Sequence, residues 1–202
     1  CRTNARAHQP APLLSRDVPP ERVRPLLGDD SVDAVVIFSQ FADEASMPIP
    51  AYAGDLFDAD LQGSFSHFYH NMSSGQFRAT GHIIPRRYQS SGPAADYLAD
   101  NDGEFGDYTT FIREILVQAD ADIDWAMYDN DGPDGLPNSG DDDGFVDYLF
   151  IGTLSAPRGF IVNGATGRAA LGFESDFVTA DEGFDGKPIR ISGERTSGTI
   201  FM

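Results

Sequence analysis

Between Asp129 and Asp147 the chain reads DNDGPDGLPNSGDDDGFVD, seven aspartates in nineteen residues, interspersed with four glycines and two prolines. No helix or buried strand accommodates this stretch. Glycine and proline interrupt both, and aspartate favours turns in which its side chain bonds its own backbone. So many carboxylates in one loop repel one another, so the segment either stays open in water or folds around a positive charge. Glycine permits tight turns with positive φ, and oxygen side chains at alternate positions then converge on one point. Asp141-x-Asp143-Gly-x-x-Asp147 has the sense of half an EF-hand, and Asp129-x-Asp131-Gly, followed by Asp134, makes a second cluster. Hard oxygen ligands at this density suit Ca²⁺, whereas Zn²⁺ prefers nitrogen and sulfur. The full EF-hand pattern is not met, since Pro133 stands where a ligand belongs and no glutamate closes the loop. The expected ligands are therefore Asp129, Asp131, Asp134, Asp141, Asp143 and Asp147, with a solvated acidic turn as the alternative.

The rest of the 202 residues can build a core, being 41% hydrophobic and 11% aromatic. A formal net charge of −18 argues against nucleic acid and anionic membranes as partners, because both select basic faces. No apolar run approaches the ~20 residues of a membrane-spanning helix. The single cysteine, Cys1, rules out an intramolecular disulfide. As a first residue it is where a bacterial lipoprotein would carry its lipid anchor, or simply where a trimmed chain begins.

Residues 1–30 hold five prolines and five arginines and read as an extended leader or linker, with one domain over 31–202. Val32–Phe38 (VDAVVIF) is a continuous apolar run, the pattern of a buried strand. Ser64–Met72 predicts a helix capped by Ser64, with Phe65, Phe68, Tyr69 and Met72 at helical spacing. Gln76–Ile84 predicts a strand that ends at Pro85. Asp107–Asp120 is the clearest helix, with Phe111, Ile112, Ile115, Leu116 and Ala119 on one stripe. Val146–Gly152, Gly159–Asn163 and Pro188–Glu194 predict further strands. Alternating strands and helices favour a mixed α/β domain.

Recognisable catalytic patterns are absent. No His-Glu-x-x-His, Gly-x-Ser-x-Gly, P-loop or Gly-x-Gly-x-x-Gly occurs. His67 and His70 would share a helix face, but ordinary surface or core roles suit them better than metal ligation. Glu174 and Glu194 are the least crowded acids, and structural roles suit both.

The order of segments resembles the immune inhibitor A family of secreted zinc metallopeptidases. The resemblance rests on DAVVIFSQFAD, then GSFSHFYHNMSSGQFRATGHI, then DIDWAMYDNDG and DDDGFVDYLFIG, and it runs from about Ser31 onward. Its most specific part pairs Tyr128-Asp129-Asn130-Asp131-Gly132 with Asp143-Gly144-Phe145-Val146-Asp147. It implies a zincin-like N-terminal subdomain, a sheet with packed helices and a long acidic metal-binding loop, in a secreted or cell-surface calcium-stabilised metalloendopeptidase acting on protein or peptide substrates. The calcium positions it implies are Asp129, Asp131, Asp143 and Asp147, and it transfers no catalytic residue. Two departures stand out. An insertion, PDGLPNSGDD, separates the halves of the aspartate motif, and the family's zinc motif is missing from a sequence that ends SGTIFM. Zn²⁺ is therefore expected only if the chain continues past Met202, and the 202 residues alone are expected to be inactive. The contrasting expectation is a non-catalytic calcium-binding extracellular module, assembled with other extracellular chains.

Overall fold

The computed structural model describes residues 31–193 apart from Asp102, so the leader and Glu194 lie outside the described residues. The fold is mixed α/β, with a small parallel sheet and two α-helices. Strand β1, Ser31–Gln40, is central, flanked by β2 (Arg78–Gln89) and β3 (Tyr148–Thr153) in the order β2-β1-β3, both pairings parallel.

The continuous apolar run of β1 is explained by cover on both faces, as parallel sheets require. Val35 and Ile37 face a large core with Leu149 and Ile151 of β3 and with Trp125. Helix α2, Tyr108–Ala119, closes this face with the predicted stripe of Phe111, Ile112, Ile115, Leu116 and Ala119, all fully buried. Its N-cap is Asp107, whose Oδ1 accepts the Thr110 N–H at 3.1 Å. Ala34, Val36, Phe38 and Phe150 point to the opposite face, which Phe57 and Phe65 cover. Phe65 opens helix α1, Phe65–Met72, where Ser64 Oγ accepts the His67 N–H at 2.9 Å, as the capping pattern predicts.

Four sequence expectations need correction. Phe68 and Met72 do not join the core. Phe65 and Tyr69 pack together with tilted rings, centroids 4.7 Å apart, while Phe68 and Met72 are 55% and 71% exposed. Strand β2 does not stop at Pro85 but runs through it to Gln89. Its register with β1 shifts from Val36↔Ile83 to Phe38↔Arg87, so Pro85 lies in a bulge of a strand paired on one side only, where no ladder donor is lost. Gly159–Asn163 is not a strand. Gly159 turns at φ +92°, and Phe160 and Ile161 are buried as core anchors rather than ladder members. The C-terminal expectation shortens to β5, Pro188–Ile191, which pairs antiparallel with β4, Phe177–Glu182, a strand whose buried positions are Phe177 and the polar Thr179, so that its pattern does not register. Among the described residues no helix is long and apolar enough to cross a membrane.

Candidate metal centre

The acidic loop is held at both ends by the main core. Upstream, a short 3₁₀ turn at Trp125–Tyr128 buries Trp125, Ala126 and Tyr128, and the Trp125 N–H donates to Asp181 of β4 at 2.8 Å. Downstream, Val146 is buried and Tyr148 enters β3 opposite Ala34 of β1. The Asp147 N–H donates to the Tyr128 carbonyl at 2.8 Å, which brings the two ends together. The hairpin β4–β5 closes the side: the Val146 N–H donates to the Arg190 carbonyl at 2.9 Å, and the Arg190 N–H to the Gly144 carbonyl at 3.0 Å. A cleft of ≈ 410 Å³ remains between loop and hairpin, lined by Asp129, Asp142, Asp143, Phe184 and Arg190 among others.

This closure gathers Asp129, Asp131 and Asp147, with one carboxylate oxygen from each lying within 4.8 Å of the others. Asp129 is only 2% exposed. Its Oδ2 accepts the Gly144 N–H at 3.1 Å, while its Oδ1 is buried without a hydrogen-bond partner. Asp147 Oδ2 accepts the Asn130 N–H at 2.9 Å. The amide oxygens of Asn130 and Asn138 are likewise buried and unpartnered. Buried oxygens of this kind ordinarily have partners, and leaving one without costs about 1–3 kcal/mol. Three converging carboxylates with orphaned oxygens beside them can hold a metal ion.

The electrostatics point the same way. Burial, reinforced by the charges of Asp142, Asp143 and Asp131, pushes the Asp129 carboxyl up to about 7 against the opposing Gly144 N–H. Burial likewise pushes Asp147 up to about 8, opposed by its bond from Asn130 and aided by Asp131, Asp129 and Asp143. Without a cation, the folded loop resists carrying its full negative charge at neutral pH.

The other expected ligands lie outside this cluster. Asp134 Oδ1 accepts the Leu136 N–H at 2.8 Å, and exposed Asp141 accepts the Asp134 N–H at 3.1 Å and the Ser139 hydroxyl, which holds its carboxyl below the usual range. Asp143 is exposed, caps the Phe145 N–H at 3.1 Å and contributes charge to Asp129 and Asp147. Asp142 bridges the loop, accepting the Gly132 N–H at 2.8 Å and the Ser139 N–H at 2.6 Å. Gly132 is needed for that approach, since a Cβ there would lie 2.6 Å from Asp142 Oδ1. The insertion's carboxylates thus organise its own backbone. Sequence reasoning passed over Asn130 and Asn138, although asparagine among alternating aspartates is itself an oxygen-ligand signal.

Zinc finds no comparable set among the described residues. His67 contacts Asn71, His70 packs beside Gly75, and His82 pairs with Asp33 at 3.4 Å. Glu174 is exposed ahead of β4. The described residues do not fit catalytic zinc. No protein-family model matches the sequence, and no curated protein matches it.

Proposed function

We propose that this chain is the calcium-stabilised N-terminal scaffold of a secreted zinc metalloendopeptidase domain with a zincin-like fold. The observation that carries the calcium part is the buried, unpartnered Oδ1 of Asp129 inside the Asp129–Asp131–Asp147 cluster. Carboxylate and amide oxygens without nitrogen or sulfur suit a hard cation, and a site made of several protein oxygens suits Ca²⁺ over Mg²⁺, which keeps more of its waters. The peptidase part is supported by the resemblance in the order of strand, helix and aspartate loop to immune inhibitor A. In this reading the cation fixes the loop against the sheet, and the zinc ligands and general base are supplied by residues outside Cys1–Met202.

A non-catalytic calcium-binding extracellular module with the same fold is the second reading. The absence of His-Glu-x-x-His from the sequence favours it, as does the lack of a histidine-bearing ligand cluster among the described residues. The two separate on the natural protein as isolated from its source, assayed with casein in calcium, with and without a zinc-selective chelator. The peptidase reading expects cleavage that the chelator abolishes, together with bound zinc by elemental analysis. Absence of both zinc and cleavage would refute the peptidase reading and leave the second.

A further inference from the structure

We infer that Asn138, in the insertion that splits the aspartate motif, supplies an amide oxygen to the cation, so that the insertion completes the site rather than interrupting it. This rests on the cation reading above and adds a ligand outside the aspartate pattern. The case for a ligand at this place begins with Asp129, 98% buried, with Oδ1 lacking any hydrogen-bond partner. The Asn138 N–H donates to the Asp129 carbonyl at 2.7 Å, so the two residues are joined through the main chain. The Asn138 Oδ1 is also buried and has no partner.

The insertion's own hydrogen bonds explain how this oxygen is delivered. Ser139, the next residue, is held three times: its N–H by Asp142, and its hydroxyl by Asp141 and, at 3.3 Å, by Asp134. Asp134 and Asp141, which the sequence reading counts toward the ligand set, and Asp142, which it does not, therefore fix the neighbour of Asn138. Within the insertion, the buried side-chain oxygen without a partner is that of Asn138. Asn138 itself sits at φ +52°, a conformation asparagine tolerates better than most residues with a side chain. Its oxygen lies 3.8 Å from where a Cβ on Gly183 would begin, an ordinary contact that places the β4–β5 hairpin beside it. A neutral oxygen raises the ligand number without adding repulsion to a cluster that already holds three carboxylates, and higher ligand number favours Ca²⁺ over octahedral Mg²⁺.

The test uses Asn138→Gly and Asn138→Asp in the 202-residue chain, with calcium binding by titration calorimetry and thermal melts in EDTA. Asn138→Gly removes the oxygen and suits the positive φ, so calcium affinity is expected to fall about tenfold or more while stability in EDTA holds or rises. Asn138→Asp keeps an oxygen at the same place and is expected to bind calcium at least as tightly as the wild type. Asn138→Gly binding within about twofold of a calcium-binding wild type would overturn the assignment, as would a loss of EDTA stability that accounts for the whole effect. A wild-type chain that binds no calcium would overturn the cation reading itself.

Discussion

Lowering the pH from about 8.5 to about 6 should expel the cation, because Asp129 and Asp147 must both lose protons to ligate it. Each competing protonation multiplies the apparent dissociation constant by one plus ten to the power of pKa minus pH. With carboxyls at about 7 and about 8, the combined factor is roughly 1.4 at pH 8.5 and roughly 1,100 at pH 6. The expected weakening is two to three orders of magnitude, about 4 kcal/mol. Carboxylates at an ordinary pKa near 4 would change by only a few per cent over the same range, so the two cases are far apart. Calcium titrations at a series of pH values, read by calorimetry and by the emission of the sole tryptophan, Trp125, four residues before Asp129, measure the slope directly. The cation-free chain should show the opposite dependence. A carboxyl whose folded pKa is raised contributes stability fully present below its unfolded value near 4 and lost as pH rises through about 7 and about 8. The chain in EDTA should therefore melt higher at about pH 5 than at about pH 8.5. An affinity that stays flat between pH 6 and 8.5 would refute the reasoning, since the two carboxyls would then either ionise in the ordinary range or not ligate the ion.

Calcium at about one hundred times its dissociation constant should stabilise the chain by about 2.7 kcal/mol, raising Tm by roughly 5–11 °C, and Asp129→Asn with Asp147→Asn should abolish the rise. An equal rise in the double variant would place the ion elsewhere. Asp142→Ala frees the N–H groups of Gly132 and Ser139 and should cost about 2 kcal/mol in denaturant melts, with a weaker calcium response; full retention of both would show that the loop does not depend on this bridge. Ile115→Ala, at a fully buried position of α2, should cost about 2–5 kcal/mol in the same melts without changing calcium affinity measured on the folded chain.

How much of this was legible in the sequence depends on which force decided each element. Strand β1 and helix α2 were legible because burial decided them, and burial leaves its period in the residues: an unbroken run where two faces are covered, a stripe where one is. The same logic misled at Phe160 and Ile161, which are apolar because the core holds them, not because a ladder does. Pro85 marked an end that is really a bulge, since a pairing register is set between strands and cannot be read from one of them. In the acidic loop, spacing around glycine marks Asp129 and Asp131 as one group and Asp147 as part of another, and only the fold brings the three together. The division of labour among the remaining oxygens was likewise not legible. Asp134, Asp141 and Asp142 resemble ligands by type, yet backbone N–H groups claim them, and only the folded path of the loop brings those donors within reach.

That division bears on why the site sits where it does. The loop joins the 3₁₀ turn at Trp125–Tyr128 to β3, and it also pairs with β5 through Gly144, Phe145 and Val146. It thus ties the β4–β5 hairpin to the parallel sheet by main-chain bonds, beside the packing of Phe177, Ile189 and Ile191 into the main core. An empty cluster sets carboxylate repulsion against those few backbone bonds, whereas a bound cation turns the same charges into attraction across the junction. The resulting coupling is reciprocal: whatever orders the hairpin must tighten cation binding, and cation binding must protect the hairpin amides by the same free energy. Hydrogen exchange at Val146 and Arg190, whose N–H groups bridge loop and hairpin, should therefore slow with calcium by the factor that calcium adds to global stability, provided the junction opens only with the fold. Slowing confined to the loop, with Arg190 unaffected, would mean that the ion orders the loop alone.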